Sequence, residues 1–484
     1  MPTTETCLLW FRQDLRLADN AALQAALSTG LPIICIFIWD ETTPTKQQIG
    51  SASKWWLHHS LVSLDAALQE RNNKLLYYRG KPEDILMPLI QKENVKTVFW
   101  NRCYDAHSIN RDKKIKANLI NADVEVESFN SHLLYEPWDI LNQAGKPYKV
   151  FTPFWRKGCL PSGREWNEIH AAPKKIPTVK KFPRCDTLAS WELLPYKPNW
   201  ASEFETFWHP GESGAQKRLA NFIDHGLRDY KEGRNFPAQQ NVSGLSPHLH
   251  WGEIAPWRIW QSIEIALSSD KRLLLHNVEN FQSELGWREF SYYLLYHFPS
   301  LPSENFRSEF NNFPWESNKK LLRAWQRGQT GYPLVDAGMR QLWQTGWMHN
   351  RVRMVAGSFL VKHLRLHWHH GEHWFWDTLV DADLASNSAS WQWVAGCGAD
   401  AAPYFRIFNP VLQSEKFDAQ GEYIRCWVPE LAELENKYIH APWNAPSVML
   451  EKAEIILGKT YPLPVVDHNE ARAAALDAYK NMRR

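Results

Sequence analysis

CLLWF, residues 7–11, is the first of a series of short apolar runs that decides the fold of the N-terminal part of the chain. Stretches with helical spacing of apolar residues, such as Ala21–Leu27 and Lys54–Glu70, separate these runs. Buried strands that alternate with amphipathic helices are typical of an α/β domain with a doubly wound parallel sheet. The predicted strands are Cys7–Phe11, Ile33–Trp39, Leu75–Tyr78, Val95–Trp100 and Val124–Phe129.

The end of the first run bears on nucleotide binding. It reads WFRQDLR over Trp10–Arg16 and contains no G-x-G-x-x-G. Because that glycine pattern forms the usual phosphate-binding turn after the first strand of a doubly wound sheet, we expect any nucleotide to bind elsewhere.

Beyond residue 130 the pattern changes twice. Prolines crowd residues 131–212 without sustained periodicity, which is typical of a long connection over the surface. After Gly214 the spacing becomes helical. We therefore predict an α/β domain over 1–130, a linker over 131–212 and an all-α domain over 213–484. The clearest helical stretches are Ala215–Tyr230, Ser283–Phe298, Pro333–Gln344, His349–Leu366 and Glu372–Val380.

Composition excludes several classes of protein. The net charge is +2, from 55 basic and 53 acidic residues, so overall charge indicates no partner. Seven cysteines without a C-x-x-C pair argue against a disulfide scaffold or zinc ribbon and favour a reducing compartment. The longest apolar run, Leu31–Trp39, is too short to cross a bilayer, and Met1–Thr6 lacks a basic leader. We expect a cytoplasmic protein without membrane partners.

Tryptophan is unusually frequent: 26 residues, against 22 Phe and 16 Tyr. This richness suits either an aromatic core or binding surface, or redox chemistry. A second bias lies in residues 337–371, which contain no Asp or Glu but five Lys or Arg, five His and three Trp. Such a segment indicates either contacts to phosphates and bases or a solvated helix face.

Histidines raise the question of a metal. His363 and His367 have the i, i+4 spacing of a ligand pair. Because the nearby carboxylates do not complete a pattern such as H-E-x-x-H, we predict no metal site.

Three sets of residues share a helical face. Asp383, Asn387 and Trp391 follow at i, i+4 and i+8, which suits either a flavin ring or simple helix capping by Asp383. Glu284, Trp287 and Arg288 form a second set, in which an intrahelical Glu–Arg ion pair would leave the indole free to stack. The third set is Asn350 and Met354.

Longer motifs make the sequence recognisable. It resembles the cryptochrome/photolyase family and, within it, the microbial photolyases of cyclobutane pyrimidine dimers (CPDs), on the branch near plant cryptochromes. The resemblance implies an α/β antenna domain joined by a long linker to a helical FAD-binding domain. It rests on WFRQDLR (10–16), LYEPW (134–138), ELGWREF (284–290), TGYPLVD (330–336), GWMHNRVRM (346–354), DADL (381–384) and DAAPYFRIFNP (400–410).

The resemblance also implies the FAD contacts. Arg353 and Asp381 would form an ion pair beside the flavin ring, Asp383 would accept from its N3 edge, and Asn387 would face N5. Photolyases generally carry Asn at this last position, whereas plant cryptochromes carry Asp. The full set implied by the resemblance is Tyr230, Val242, Ser243, Gly244, Leu245, Ser246, Arg353, Asp381, Ala382, Asp383 and Asn387. Many relatives carry Thr where this chain has Val242.

Electron transfer and substrate contacts follow in the same way. Trp391, Trp368 and Trp315 match the family's electron-transfer triad. Glu284, Asn350 and Met354 would contact the dimer, which fits a CPD better than a (6-4) photoproduct. The implied DNA contacts are Arg234, Glu284, Trp287, Arg288, Asn350, Arg351, Trp393 and Gln413.

The function implied is light-driven, redox-neutral repair of UV-damaged DNA by a monomer that binds FAD. For the antenna chromophore we expect methenyltetrahydrofolate rather than a deazaflavin. A cryptochrome-type photoreceptor and a flavoprotein electron carrier are the alternatives. Asn387 and the absence of an extension after the last predicted helix favour the photolyase over the photoreceptor.

Overall fold

The computed structural model describes residues 5–162, 168–401 and 405–482. Part of the DAAPYFRIFNP motif, residues 402–404, lies outside these ranges.

The N-terminal part is a five-stranded sheet in which every neighbouring pair of strands is parallel, in the order β3-β2-β1-β4-β5. Side chains of β1 alternate between two apolar cores, with Cys7 and Leu9 on one face and Leu8 and Trp10 on the other. The predicted doubly wound sheet is confirmed. Its strands are β1 (Thr6–Phe11), β2 (Ile33–Asp40), β3 (Leu75–Gly80), β4 (Val95–Asn101) and β5 (Glu125–Phe129), and its helices are α1 (Ala21–Ser28), α2 (Ser51–Gln69), α3 (Pro82–Lys92) and α4 (Ala106–Ile120).

Aromatic side chains fill the point where the strand order reverses, between β1 and β4. Trp10 pairs in register with Trp100, and their rings meet edge to face at 5.9 Å. The Arg12 guanidinium lies 5.0 Å from the Trp10 ring centroid, and that of Arg111 lies 5.1 Å from it. Open α/β sheets usually bind nucleotides in this crevice. Here the two indoles and the two guanidinium groups occupy it, in agreement with the missing glycine motif.

The N-terminal and helical parts of the molecule are joined by direct hydrogen bonds and by the segment after β5. Arg16 is buried and donates to the carbonyl oxygens of Gly252 (2.7 Å) and Ser131 (2.9 Å). Trp56 donates its indole N–H to Glu253 (3.0 Å). Regular structure in this segment is short: α5 (Phe151–Pro153), a π-helix (Phe154–Cys159), 3-10 turns (Leu160–Ser162 and Leu188–Trp191) and α6 (Phe204–Phe207).

The C-terminal part is helical. Its helices are α7 (Glu212–Asn221), α8 (Tyr230–Gly233), α9 (Ser246–His250), α10 (Pro256–Ser269), α11 (Leu275–His297), α12 (Lys319–Gln326), α13 (Pro333–Thr345), α14 (Asn350–Ser358), α15 (Trp368–Thr378), α16 (Leu384–Ala395), α17 (Pro410–Phe417), α18 (Glu422–Trp427), α19 (Asn436–Ile439), α20 (Ser447–Lys452) and α21 (His468–Met482). Within the described ranges, no helix is long and apolar enough to cross a membrane.

Two predicted helices are interrupted. The stretch His349–Leu366 forms α14 and then a π-helix over Phe359–His363, where the Leu364 N–H donates to the Phe359 carbonyl. The stretch Ala215–Tyr230 is likewise broken by a π-helix over Phe222–Gly226. The prediction of continuous helices is wrong here, because apolar spacing does not distinguish a five-residue from a four-residue hydrogen-bond step.

Candidate functional site

A cavity of about 540 Å³ opens among α8, α9, α11, α14 and α16. Most of the predicted site residues line it, although they come from segments far apart in the chain. They are Tyr230, Arg234, Ser243, Leu245, Ser246, Glu284, Trp287, Arg288, Asn350, Arg353, Met354, Asp381, Ala382, Asp383, Asn387, Trp391 and Trp393. Outside its lining lie Val242, Gly244, Trp315, Arg351, Trp368 and Gln413.

Arg353 and Asp381 form an ion pair on the cavity wall. Nη2 of Arg353 donates to both carboxylate oxygens, at 3.1 and 2.9 Å, and its Nε donates to the Met348 carbonyl at 2.7 Å. Ser246 Oγ donates to the same carboxylate at 2.6 Å. These bonds fix the carboxylate between α14 and α9.

Asp383 is the N-cap of α16 and accepts from the Ser386 N–H at 2.7 Å. Its other oxygen accepts from the Tyr292 hydroxyl and lies 3.3 Å from His250 Nδ1. Burial by itself raises the pKa of Asp383, but the hydrogen bonds and charge of its partners outweigh it and hold the pKa well below its usual range. The carboxylate is therefore ionised and acts as an acceptor at neutral pH. Capping, one of the two interpretations of its spacing, is confirmed.

Asn387 is oriented by the turn of α15 that faces it. Its Nδ2 donates to the backbone carbonyl of Glu372 at 3.1 Å. This bond uses one N–H of the amide, so the second N–H can still donate and the amide oxygen can accept.

A loop beside α9 forms a polar corner. Gly244 has φ +60°, and a Cβ at this position would lie 2.6 Å from Nη1 of Arg218. Ser243 Oγ accepts from the Leu245 N–H at 3.3 Å. A positive-φ turn beside a guanidinium suits an anion. Arg218 was not among the predicted site residues, because no motif links it to this loop.

These features fit FAD. The turn at Gly244 would hold the pyrophosphate, while Asp383 and Asn387 offer acceptors for a flavin ring. Leu249, Phe375 and Leu379 supply apolar walls.

The opposite wall carries Glu284 and Trp287 on one face of α11. Glu284 forms an ion pair with Arg234, the C-cap residue of α8. The Trp287 ring stacks on Phe151 of the linker, with centroids 3.8 Å apart and 12° between planes. Because Phe151 covers one face of the indole, the other face is the one left for a ligand. Phe151 is a functional candidate that the sequence did not reveal, since it lies far from α11 in the chain.

Arg288 is anchored within the protein. It donates to the His132 carbonyl at 2.8 Å and to the Leu249 carbonyl at 3.4 Å, and it lies 2.7 Å from His132 Nε2. These contacts tie α11 to the linker. The intrahelical Glu284–Arg288 ion pair, the alternative interpretation of this spacing, is not found among the described residues: Glu284 pairs with Arg234, and Arg288 pairs with Glu289.

Arg351 and Gln413 lie beyond the cavity. Arg351 donates to the Asn235 side chain, and its guanidinium carbon lies 4.5 Å from the Phe417 ring centroid. Its buried Nε and the buried Oε1 of Gln413 have no hydrogen-bond partner among the described residues. Unpaired buried polar atoms of this kind are expected where a ligand binds.

The three predicted electron-transfer tryptophans are connected through α15 and His367. Trp391 packs on α15 at Gly371, where an added Cβ would lie 2.0 Å from its ring. The first residue of α15 is Trp368. The His367 ring lies between those of Trp368 and Trp315. Its centroid is 5.7 Å from the Trp368 centroid and 5.0 Å from the Trp315 centroid.

Comparisons with known proteins cover both parts of the chain. A model described as DNA photolyase matches residues 7–174, and one described as the FAD binding domain of DNA photolyase matches residues 281–481. The deoxyribodipyrimidine photo-lyase of Agrobacterium fabrum is 49% identical over 98% of both chains. Cryptochrome-1 of Arabidopsis thaliana is 37% identical over 98% of this chain and 70% of that protein.

Solved structures agree with the sequence comparisons. The crystal structure of a bacterial class III photolyase from Agrobacterium tumefaciens has a TM-score of 0.95 and 48% identity, and it covers 100% of this chain and 98% of that one. The chain therefore belongs to the DNA photolyase enzymes of the cryptochrome/photolyase family.

Proposed function

We propose that this protein repairs cyclobutane pyrimidine dimers in UV-damaged DNA, using light absorbed by bound FAD. The observation that carries the proposal is the shared cavity. Asp381, Asp383 and Asn387 line it together with Glu284 and Trp287. A dimer that enters this cavity would therefore lie next to the cofactor.

FAD bound in its reduced form would supply the photoexcited electron that opens the two cyclobutane bonds. The protein's part is to position and protect. The carboxylates of Asp381 and Asp383 and the Asn387 amide oxygen would orient the ring. A neutral amide at position 387, unlike a carboxylic acid, has no proton to give to a reduced anionic flavin.

On the substrate side, Trp287 would stack on one ring of the dimer, with its second face held by Phe151. Glu284 would hydrogen-bond the polar edge of the bases, and its pairing with Arg234 orients it. A dimer weakens the duplex, so it costs less to flip out than an intact pair, and base flipping is general among photolyases and other enzymes that act on a base. Arg351 and Gln413, which lie outside the cavity and are half-buried, would contact the DNA beside the lesion.

The packing of Trp391 against α15, which begins at Trp368, and the position of His367 between Trp368 and Trp315 support an electron route that reduces oxidised FAD in the light. This route would prepare the enzyme, and repair by an already reduced enzyme would not need it.

Repair of a defined lesion tests the function. Chemically reduced protein, an oligonucleotide with one thymine CPD and blue light should lose the dimer, while dark samples and a (6-4) substrate should not. Glu284→Ala should slow repair with FAD retained. Glu279→Ala is the matched control, because Glu279 is an exposed glutamate on the same helix. Lesion binding by reduced protein without repair would instead favour a cryptochrome-type photoreceptor.

For the antenna we propose methenyltetrahydrofolate rather than a deazaflavin. The support is the similarity to Arabidopsis cryptochrome-1, in keeping with the branch that the sequence resembles. Trp10, Trp100 and Arg12 fill the crevice of the sheet, so we place the antenna outside it. Mass spectrometry of the chromophores released from natively purified protein tests this: a deazaflavin would refute it.

A further inference from the structure

The first turns of α15 carry a ligand pattern that the proposed function does not use. Residues 369–373 read HHGEH, which places two histidines one helical turn apart with a glutamate between them. The order H-x-x-E-H occurs in one class of zinc enzymes. His363 is not part of this cluster, since its Nε2 lies 2.9 Å from His468 Nδ1.

The side chains meet on one face of the helix. One ligand atom each from His369, Glu372 and His373 lie within 4.8 Å of one another. His369 Nδ1 is 2.7 Å from Glu372 Oε2, and the two imidazole rings are stacked at 5.7 Å. A spread of this size is close enough for small side-chain rotations to bring all three atoms to one ion.

The Glu372 carboxylate is already oriented by a hydrogen bond from α16. Ser388 Oγ donates to Glu372 Oε1 at 2.7 Å, which leaves Oε2 directed to the histidines. Partners of this kind orient metal ligands and strengthen binding. Glu372 is buried, whereas His373 is exposed, so the cluster has one protected side and one side open to solvent.

The donor atoms suit a cation, because an imidazole nitrogen and a carboxylate oxygen each carry an electron pair that a metal can accept. Two imidazoles and one carboxylate are a common ligand set for zinc and other divalent transition metals.

Although the sequence led us to predict no metal site, we propose that His369, Glu372 and His373 form a binding site for one divalent transition-metal ion, with Zn²⁺ as the representative. The set supplies three protein ligands and leaves a fourth position to water.

The site lies beside the proposed electron route. The His369 ring is 3.7 Å from the ring of Trp368. A dication at His369 would oppose the positive charge that Trp368 acquires when it gives up an electron. Bound Zn²⁺ would therefore slow the light-driven reduction of FAD. This second step rests on the proposed electron route through Trp368, whereas the metal site does not.

Zinc binding is measured by equilibrium dialysis of chelator-treated, untagged holoprotein against ZnCl₂ in the dark. The wild type should bind one Zn²⁺ that EDTA removes, and Co²⁺ in its place should give a visible d–d absorption band. His373→Ala removes an exposed ligand and should weaken binding roughly tenfold or more. Glu372→Gln should also weaken it, with the flavin spectrum confirming that FAD is retained.

His370→Ala is the control, because this exposed histidine lies between the ligands but outside the three-residue set. It should bind Zn²⁺ as the wild type does. Equal affinity of the wild type and His373→Ala, or loss of binding in His370→Ala alone, would overturn the site.

The rate of FAD photoreduction then tests the effect of the metal separately from its binding. Zn²⁺ should slow reduction of oxidised FAD in the wild type but not in His373→Ala. If Zn²⁺ binds at the site and the rate is unchanged in both, the metal site stands and the proposed effect of Zn²⁺ on photoreduction is refuted.

Discussion

Replacing Lys362 with methionine tests how the helical core holds the segment that follows α16. Lys362 is only 2% exposed. Its Nζ donates to the Arg406 carbonyl at 3.0 Å and lies 3.8 Å from the centroid of the Phe405 ring. Both partners belong to the segment between α16 and α17, which also contains the cavity-lining residue Asp400.

Burial lowers the pKa of Lys362 from 10.5 to about 7. Between these two values the unfolded chain carries the proton and the folded chain does not, so the folded state gains stability as pH rises. At about 1.4 kcal/mol per pH unit, the whole interval corresponds to about 5 kcal/mol, and the rise from pH 7.5 to 9.5 to about 2–3 kcal/mol. Below pH 7 both states are charged and this gain is absent.

The experiment compares urea unfolding at pH 7.5 and 9.5 by circular dichroism. The wild type should gain about 2–3 kcal/mol more over this interval than Lys362→Met, because methionine removes the titrating group at nearly constant volume. Taking the difference between the two proteins cancels the titration of their other groups.

Lys416→Met is the matched control. This lysine also lies over an aromatic ring, with Nζ 5.2 Å from the Phe417 centroid, but it is exposed. The control should follow the wild type at both pH values. Equal pH dependence in the wild type and Lys362→Met would refute the reasoning that the amine is buried and uncharged above pH 7.

Three further predictions concern the cavity. Trp368→Phe should abolish photoreduction of oxidised FAD yet spare repair by chemically reduced protein; photoreduction at the wild-type rate would contradict the route. Asp383→Asn keeps the capping oxygen, whereas Asp383→Ala loses it, and thermal unfolding should show about 1 kcal/mol greater destabilisation for alanine; equal destabilisation would argue against the cap. Phe151→Leu removes the stack on Trp287, so the Kd for a CPD oligonucleotide should rise about 2- to 12-fold, from about 0.5–1.5 kcal/mol, at unchanged FAD content; an unchanged Kd would contradict a role for the stack.

The pattern of apolar residues along the chain was enough to predict the strands of the N-terminal sheet. The apolar run at 7–11 and the later runs each give a strand within one or two residues of the predicted bounds. A strand that is buried on both faces needs a continuous apolar segment, and that need is visible in the sequence. The π-helical interruptions were not predictable in this way, because they conserve the apolar face of the helix while changing its hydrogen bonds.

The first residues of the helices were likewise only partly predictable from the sequence. Asp383 is a favourable N-cap residue by type, and it caps α16. His349 and His367 cap α14 and α15 by accepting from N–H groups two residues ahead. Nothing in the residue type predicts a histidine cap, so the start of α15 at Trp368 rather than Glu372 became clear only from the structure.

Periodicity and motifs, which are properties of neighbouring residues, were enough to predict the succession of strands and helices along the N-terminal part and the family, and most of the site residues predicted from them line the cavity. Which distant side chains act together became visible only in the folded chain. Folding pairs Glu284 with Arg234 instead of Arg288 and stacks Phe151 on Trp287. Such contacts depend on how helices pack, and packing is fixed by the shape of the whole core rather than by spacing along the chain.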